Sequence, residues 1–327
     1  MLICQCNDRK NINILSGRVK DVEDFNQAFR GFGFCLNQIN PGAQEGKYQI
    51  IQIEDLKIIR IISSAPVYAT GSKPPDKTMF SVLLDSPEGD LVSHKTPLPY
   101  QSLFGFDSQR EVNLITPMRL DLVTLIIPTL IFHKYLDKLE RHDLDHRFFE
   151  QNHIQLTIEA YSQLQAYLHQ IFHLADTNPG LVQQSHPLIR GDLLPLLVAC
   201  FSAEVCPRVR VHPFRRAAII QAAEAYMMTN LDRPVTLQEV CQAIKASKSA
   251  VSYGFQDIFG MSPMAYLKIR RLNGVRHALK MSHPAADSVV GIANRYGFWH
   301  MGHFSSDYKR MFGESPSQTL QRSPDES

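Results

Sequence analysis

The phrase phenylalanine-glycine-any-serine-proline occurs twice, closing "VSYGFQDIFGMSP" and "HFSSDYKRMFGESP", each time after aromatic residues at helical spacing. A chain that repeats such a pattern must build the same local structure twice. Val240, Cys241 and Ile244 match Ile292, Ala293 and Tyr296 at a separation of 52 residues. Val251, Phe255, Phe259, Gly260, Ser262 and Pro263 match Phe304, Tyr308, Phe312, Gly313, Ser315 and Pro316 at a separation of 53. The one-residue change falls in the turn around Gly297, where an insertion is easiest to absorb.

The repeated glycines and Ser-Pro pairs have helix-terminating and helix-starting roles. Gly260 and Gly313 suit left-handed C-terminal caps, and Ser262-Pro263 and Ser315-Pro316 suit an N-cap followed by a first-turn proline. Upstream, Thr236 with Glu239 predicts a capping box, and Ser247 predicts the cap of the next helix. Two short helices joined by a tight turn, twice over, predict two helix-turn-helix units. Between them "PMAYLKIRRLNGVRHALKM" has 19 residues, enough for a helix of roughly 28 Å. Grooves on one face of B-DNA recur about every 34 Å, so this helix could set two reading helices in successive grooves. Its Lys268, Arg270, Arg271 and Arg276 would face either phosphate or solvent.

The remaining two thirds differ in kind. "YQIIQIEDLKIIRIISS", "KTMFSVLL", "GDLVSHKT" and "EVNLITPMRLDLVTLII" read as short strands between turn clusters, as in a β-barrel or sandwich. After Pro128 the spacing becomes helical. The expected fold class is therefore α+β: a β-rich domain over 1–128, a helical dimerisation or linker segment over 129–206, and an all-α domain over 207–322. From Arg208 onward there are 16 Lys and Arg against 9 Asp and Glu, while the rest of the chain carries 18 against 23. A basic module on an acidic body suggests a polyanion as partner. The longest apolar runs, "LVTLIIPTLIF" and "LLPLLVACF", are too short to span a bilayer. The N-terminus lacks the order of a secretory signal, so a cytoplasmic protein with no membrane contact is expected.

Six cysteines show no paired spacing for zinc. Cys4, Cys6 and Cys35 are the candidates for thiol or metal sensing. His142 with His146, and His169 with His173, have ligand-compatible spacing without an acidic partner, so no metal is assigned. Trp299, beside the turn, is expected to pack into the core. No phosphate loop or catalytic set stands out, which predicts a protein that is not an enzyme and needs no cofactor.

The segments "FGMSPMAYLKIRRL", "IANRYGF" and "HFSSDYKRMFGESP" resemble the AraC/XylS family of transcription regulators over about a third of the chain. "GFWHMGHFSSDYKRMFGESPSQTL" and "SPMAYLKIRRLNGVRHALK" look like its ethanolamine-operon regulator subgroup. The resemblance implies a cupin-like sensor domain with trailing helices, two helix-turn-helix units joined by a long helix, homodimerisation and contact with RNA polymerase. It also implies reading of double-stranded DNA by residues near the start of each second helix. These are Lys248, Ser249, Ser252, Tyr253 and Gln256 in the first unit, and His300, Met301, His303, Ser305, Ser306 and Lys309 in the second. The expected function is a sequence-specific activator responding to a small molecule or metabolic state. Two alternatives are a metal- or thiol-based sensor or enzyme with a DNA-binding output, and a DNA-binding protein whose pocket is degenerate.

Overall fold

The computed structural model describes residues 12–201, 215–283 and 287–322. Cys4, Cys6 and Cys206 lie outside them. In chain order the first part comprises β1 (Ile12–Val19), α1 (Val22–Ala28), β2 (Phe34–Gln38), β3 (Gly46–Ile53), β4 (Leu56–Ser63), β5 (Val67–Gly71) and β6 (Lys77–Leu83). Next come β7 (Val92–Ser93), β8 (Thr96–Pro97), β9 (Ser102–Phe104), β10 (Val112–Ile115) and β11 (Leu120–Pro128). Then follow α2 (Thr129–Lys138), α3 (His146–Phe149), β12 (His153–Gln155), α4 (Ile158–Thr177) and α5 (Pro179–Ala199).

Two sheets result, ordered β1-β3-β4-β11-β6-β9-β12 and β2-β5-β10-β7-β8. Alternation decides which face each side chain takes. On β11, Val123, Leu125 and Ile127 join a core shared with α2, α4 and α5, while Leu120, Leu122 and Ile126 join a second core with residues of the five-stranded sheet. The seven-stranded sheet is thus buried on both sides at its centre, which is why its strands read as continuous apolar runs. "YQIIQIEDLKIIRIISS" folds as the β3–β4 hairpin, with Glu54 at φ 54° in its turn. "EVNLITPMRLDLVTLII" splits into β10 and β11, one in each sheet, around Arg119 at φ 51°. The segment expected to be helical also returns one strand, β12, to pair with β9.

The last part consists of α6 (Arg215–Met228), α7 (Leu237–Ala243), α8 (Lys248–Phe259), α9 (Pro263–Met281), α10 (Val289–Arg295), α11 (Met301–Phe312) and α12 (Pro316–Gln321). Ser247, Ser262 and Ser315 each cap a helix by accepting a backbone N–H three residues on. Gly260 and Gly313 end α8 and α11 at φ 66° and 76°. Alanine at either glycine is expected to cost about 1–2 kcal/mol, because a Cβ is disfavoured in the left-handed region; thermal denaturation of each variant measures it. Thr236 caps α7, but Glu239 does not complete the capping box. Its carboxylate pairs instead with Arg233 and accepts from the Tyr226 hydroxyl at 2.9 Å, where a charged partner outcompetes a neutral backbone N–H.

The long helix α9 serves two cores. Tyr266 and Leu267 pack with Val240, Val251, Phe255 and Phe259, whereas Leu272, Val275 and Leu279 pack with Ile292, Phe304, Tyr308 and Phe312. The repeated residues of the sequence are therefore the ones that hold each helix pair on α9.

Candidate nucleic-acid interface

In both α8 and α11 the buried stripe fixes which side is left outward. Val251, Gly254, Phe255 and Phe259 face inward on α8, so Lys248, Ser249, Tyr253 and Gln256 are exposed and Ser252 is half-buried. Tyr253 is 67% exposed, a large uncommitted ring on that face. On α11, Phe304, Tyr308, Met311 and Phe312 are inward, and His303, Ser305, Ser306 and Lys309 are exposed, with His300 exposed at the N-cap. Met301 departs from this group: it is partly buried against the second core. Each helix thus gathers its predicted residues on one outward face, Met301 excepted.

Trp299 is a correction. It is 59% exposed because its neighbour Phe298 takes the inward position, its ring tilted at 45° against Phe304 with centroids 4.9 Å apart. Two adjacent aromatics cannot both enter the same core from an extended turn, and the first one has. Trp299 therefore joins the outward surface at the start of α11, although its aromatic character suggested packing. His300 makes no side-chain cap to α11. The first-turn N–H groups of that helix are left available to an anion such as a phosphate oxygen.

The cations of α9 have partners within the protein, and Arg276 is the one among them that is fully buried. Lys268 pairs with Asp307 at 3.1 Å, and Arg271 donates to the carbonyls of Asn230 and Arg233. Arg270 lies over the Tyr68 ring at 5.4 Å. Arg276 is bound by Asp21 of α1 and Glu314, at 2.8 and 3.0 Å. Lys280 pairs with Asp21 and Asp24, and His277 contacts Glu23 at 2.8 Å. The acidic first turn of α1 thus covers the basic side of α9. The β-rich part also grips the helices through Gln38, whose N–H donates to Asn273 Oδ1 at 3.0 Å while its carbonyl accepts from Asn273 Nδ2 at 2.8 Å. Gln38 Nε2 and the Gly42 N–H both donate to the Met311 carbonyl, at 3.1 Å each.

A second buried polar contact lies between β5, the β7–β8 turn, α6 and α9. Glu224 pairs with Lys95 and accepts from the hydroxyls of Tyr68 and Tyr266. Burial, reinforced by Glu224, pushes the Tyr68 phenol well above its ordinary value. No sequence signal could have joined residues 95 and 224, which are distant in the chain and unremarkable locally.

Cys35 lies on β2, and desolvation with the Glu23 carboxylate raises its thiol pKa, which disfavours the reactive thiolate. Among the described residues no group of three or more His, Cys, Asp or Glu side chains is placed to hold a metal ion. Among them, too, no helix is long and apolar enough to cross a membrane.

Residues 240–322 match the family described as a helix-turn-helix domain. The chain is 33% identical over 143 residues to a probable thc operon regulatory protein of Rhodococcus erythropolis, covering 42% of this chain and 43% of that one. It is 31% identical over 97 residues to a XylDLEGF operon transcriptional activator of Pseudomonas putida, covering 30% of each. The chain thus spans less than half the length of these relatives. A crystal structure of a probable AraC family transcriptional regulator from Rhodopseudomonas palustris matches with 36% identity, 33% of this chain, 99% of that chain and a TM-score of 0.30. Residues 240–322 are therefore a helix-turn-helix domain, and the relatives that the chain resembles are an operon regulatory protein and an operon transcriptional activator.

Proposed function

We propose that the protein is a sequence-specific transcription activator that reads double-stranded DNA with α8 and α11 as the second helices of two helix-turn-helix units. The observation that carries this reading is the outward face on each helix: Lys248, Ser249, Tyr253 and Gln256 on one, His303, Ser305, Ser306 and Lys309 on the other. Lysine pairs with guanine edges, serine with several edges, and exposed aromatics with apolar groove surface. The scarcity of arginine on these faces points to a share of readout through DNA shape. The resemblance supports the finer features: a cupin-like sensor over 1–128, a helical segment over 129–206 that supports homodimerisation, a DNA-binding domain over 207–322, contact with RNA polymerase, and closeness to the ethanolamine-operon regulator subgroup. A small-molecule effector fits the cavity between the two sheets.

Mapping of bound genomic fragments, followed by titration of the recovered duplex, tests this reading. Affinity is expected to fall linearly with the logarithm of salt concentration. Lys248→Ala is expected to weaken binding by about 1–3 kcal/mol on the recovered site and much less on a scrambled duplex. Equal losses on both would make Lys248 a phosphate contact, and absence of any selected fragment would defeat the sequence-specific reading.

A further inference from the structure

The two helix pairs on α9 share one scaffold, so a position that differs between them and serves no packing is open to another use. At the residue before the helix cap the first pair has Ala246, partly buried against its core, and the second has Trp299, 59% exposed. The indole makes no ring contact or hydrogen bond among the described residues. Three residues on, the second pair has Gly302 where the first has Ser249. Gly302 is exposed in the first turn of α11, and a Cβ there would meet nothing within 4 Å.

The fold explains neither residue. Glycine is a poor helix former, and helix stability alone would favour alanine at an open position such as 302. A large apolar ring is left in water at 299, and a side chain is missing where there is room for one. The surroundings constrain what could cover them. From Gly297 to Ser306 the chain has no Asp or Glu, while His300, His303 and Lys309 stand exposed. Asp307, which follows, is paired with Lys268 and Arg310. Such a surface suits a polyanion.

Among the base edges of the major groove, the apolar group is the thymine C5-methyl. An apolar ring on a groove-reading surface therefore has that one counterpart. We propose that Trp299 and Gly302 form a seat for a thymine methyl, in which the indole covers the methyl and the missing Cβ lets it approach the backbone of α11. This deepens the DNA-reading function proposed above and rests on it. The second helix pair thus selects a thymine, whereas the first, with Ala246 and Ser249 at the matching positions, has no such seat.

Trp299 is the only tryptophan in the chain, so the intrinsic fluorescence of the full chain reports on this position alone. The probes are the duplex recovered by genomic mapping and copies of it in which each thymine is replaced singly by uracil, which lacks the methyl. Saturation with the recovered duplex is expected to change the tryptophan emission. At one position uracil should weaken binding about fourfold, the change expected from one buried methyl. Trp299→Ala should bind the thymine and uracil forms of that duplex equally. Gly302→Ala favours the helix and keeps the fold; its added methyl occupies the seat, so it should lose affinity for the thymine form and keep that for the uracil form. Unchanged emission on a bound duplex overturns the assignment and leaves the DNA-reading function standing. A wild type indifferent to every uracil does the same, even where the emission changes. Recovery of no duplex defeats the DNA-reading function itself, and this seat with it.

Discussion

Arg276→Ala is expected to lower the unfolding free energy by about 3 kcal/mol, the low end for a broken buried pair, because Asp21 is left with Lys280 and Glu314 with Arg322. The side chain is 3% exposed; its Nη2 donates to both Asp21 and Glu314, and its Nη1 to the Tyr308 hydroxyl. Its guanidinium also lies over the Phe312 ring at 4.5 Å, so its removal empties packing space as well as charge. Arg276→Lys keeps the charge without the second nitrogen or the ring contact and should fall between the wild type and Arg276→Ala. Urea unfolding followed by circular dichroism gives the comparison. A loss under about 1 kcal/mol, the range of an exposed pair, would mean that water reaches Asp21 and Glu314 and that the contact is not a clamp.

The same contact predicts a pH window. Burial raises Asp21, but Arg276 and Lys280 more than offset it, and the carboxyl sits below its ordinary value of 3.8. A folded pKa below the unfolded one contributes stability above the unfolded value and loses it as pH falls through the folded one. His277 runs the other way: its hydrogen bond to Glu23 raises it above 6.5 despite desolvation and the nearby Arg30 charge. Its contribution is full below 6.5 and is lost as pH rises through the folded value. The urea midpoint is therefore expected to decline on both sides of roughly pH 4–6.5, and His277→Gln should remove the decline that this group causes on the alkaline side.

These contacts mark where a reading of the sequence reaches its limit. The caps at Ser247, Ser262 and Ser315, the glycines at 260 and 313 and the helix 263–281 were legible because each rests on residues within four positions of one another. The inward stripes of α8 and α11 were legible for the same reason, and they determine the outward faces by elimination. Trp299 was misread because packing depends on which of two adjacent aromatics enters the core, and Phe298 does. Arg276 was open between phosphate and solvent because its partner Asp21 lies 255 residues away. The cations of a basic helix could be counted from the sequence, but the acidic turn of α1 that covers them could not be placed there.

Glu224→Ala is the second large effect, expected at about 3–5 kcal/mol. Lys95 is 3% exposed at its side chain and lies over the rings of Tyr68 and Phe259 at 4.7 and 4.3 Å. Burial already pulls its ammonium pKa down against the opposing pull of Glu224. Without the carboxylate, Lys95 must either keep an uncompensated charge or shed its proton, and Tyr68 and Tyr266 lose their common acceptor. Combining Glu224→Ala with Lys95→Met separates these costs, since exchange of a buried pair for apolar groups is often near neutral. The double variant is expected to be more stable than Glu224→Ala alone, measured again by urea unfolding. If it is no more stable, the loss lies with the two tyrosine hydroxyls, and the contact between the β-rich part and the first helix pair is held by their hydrogen bonds to Glu224 and not by the ion pair.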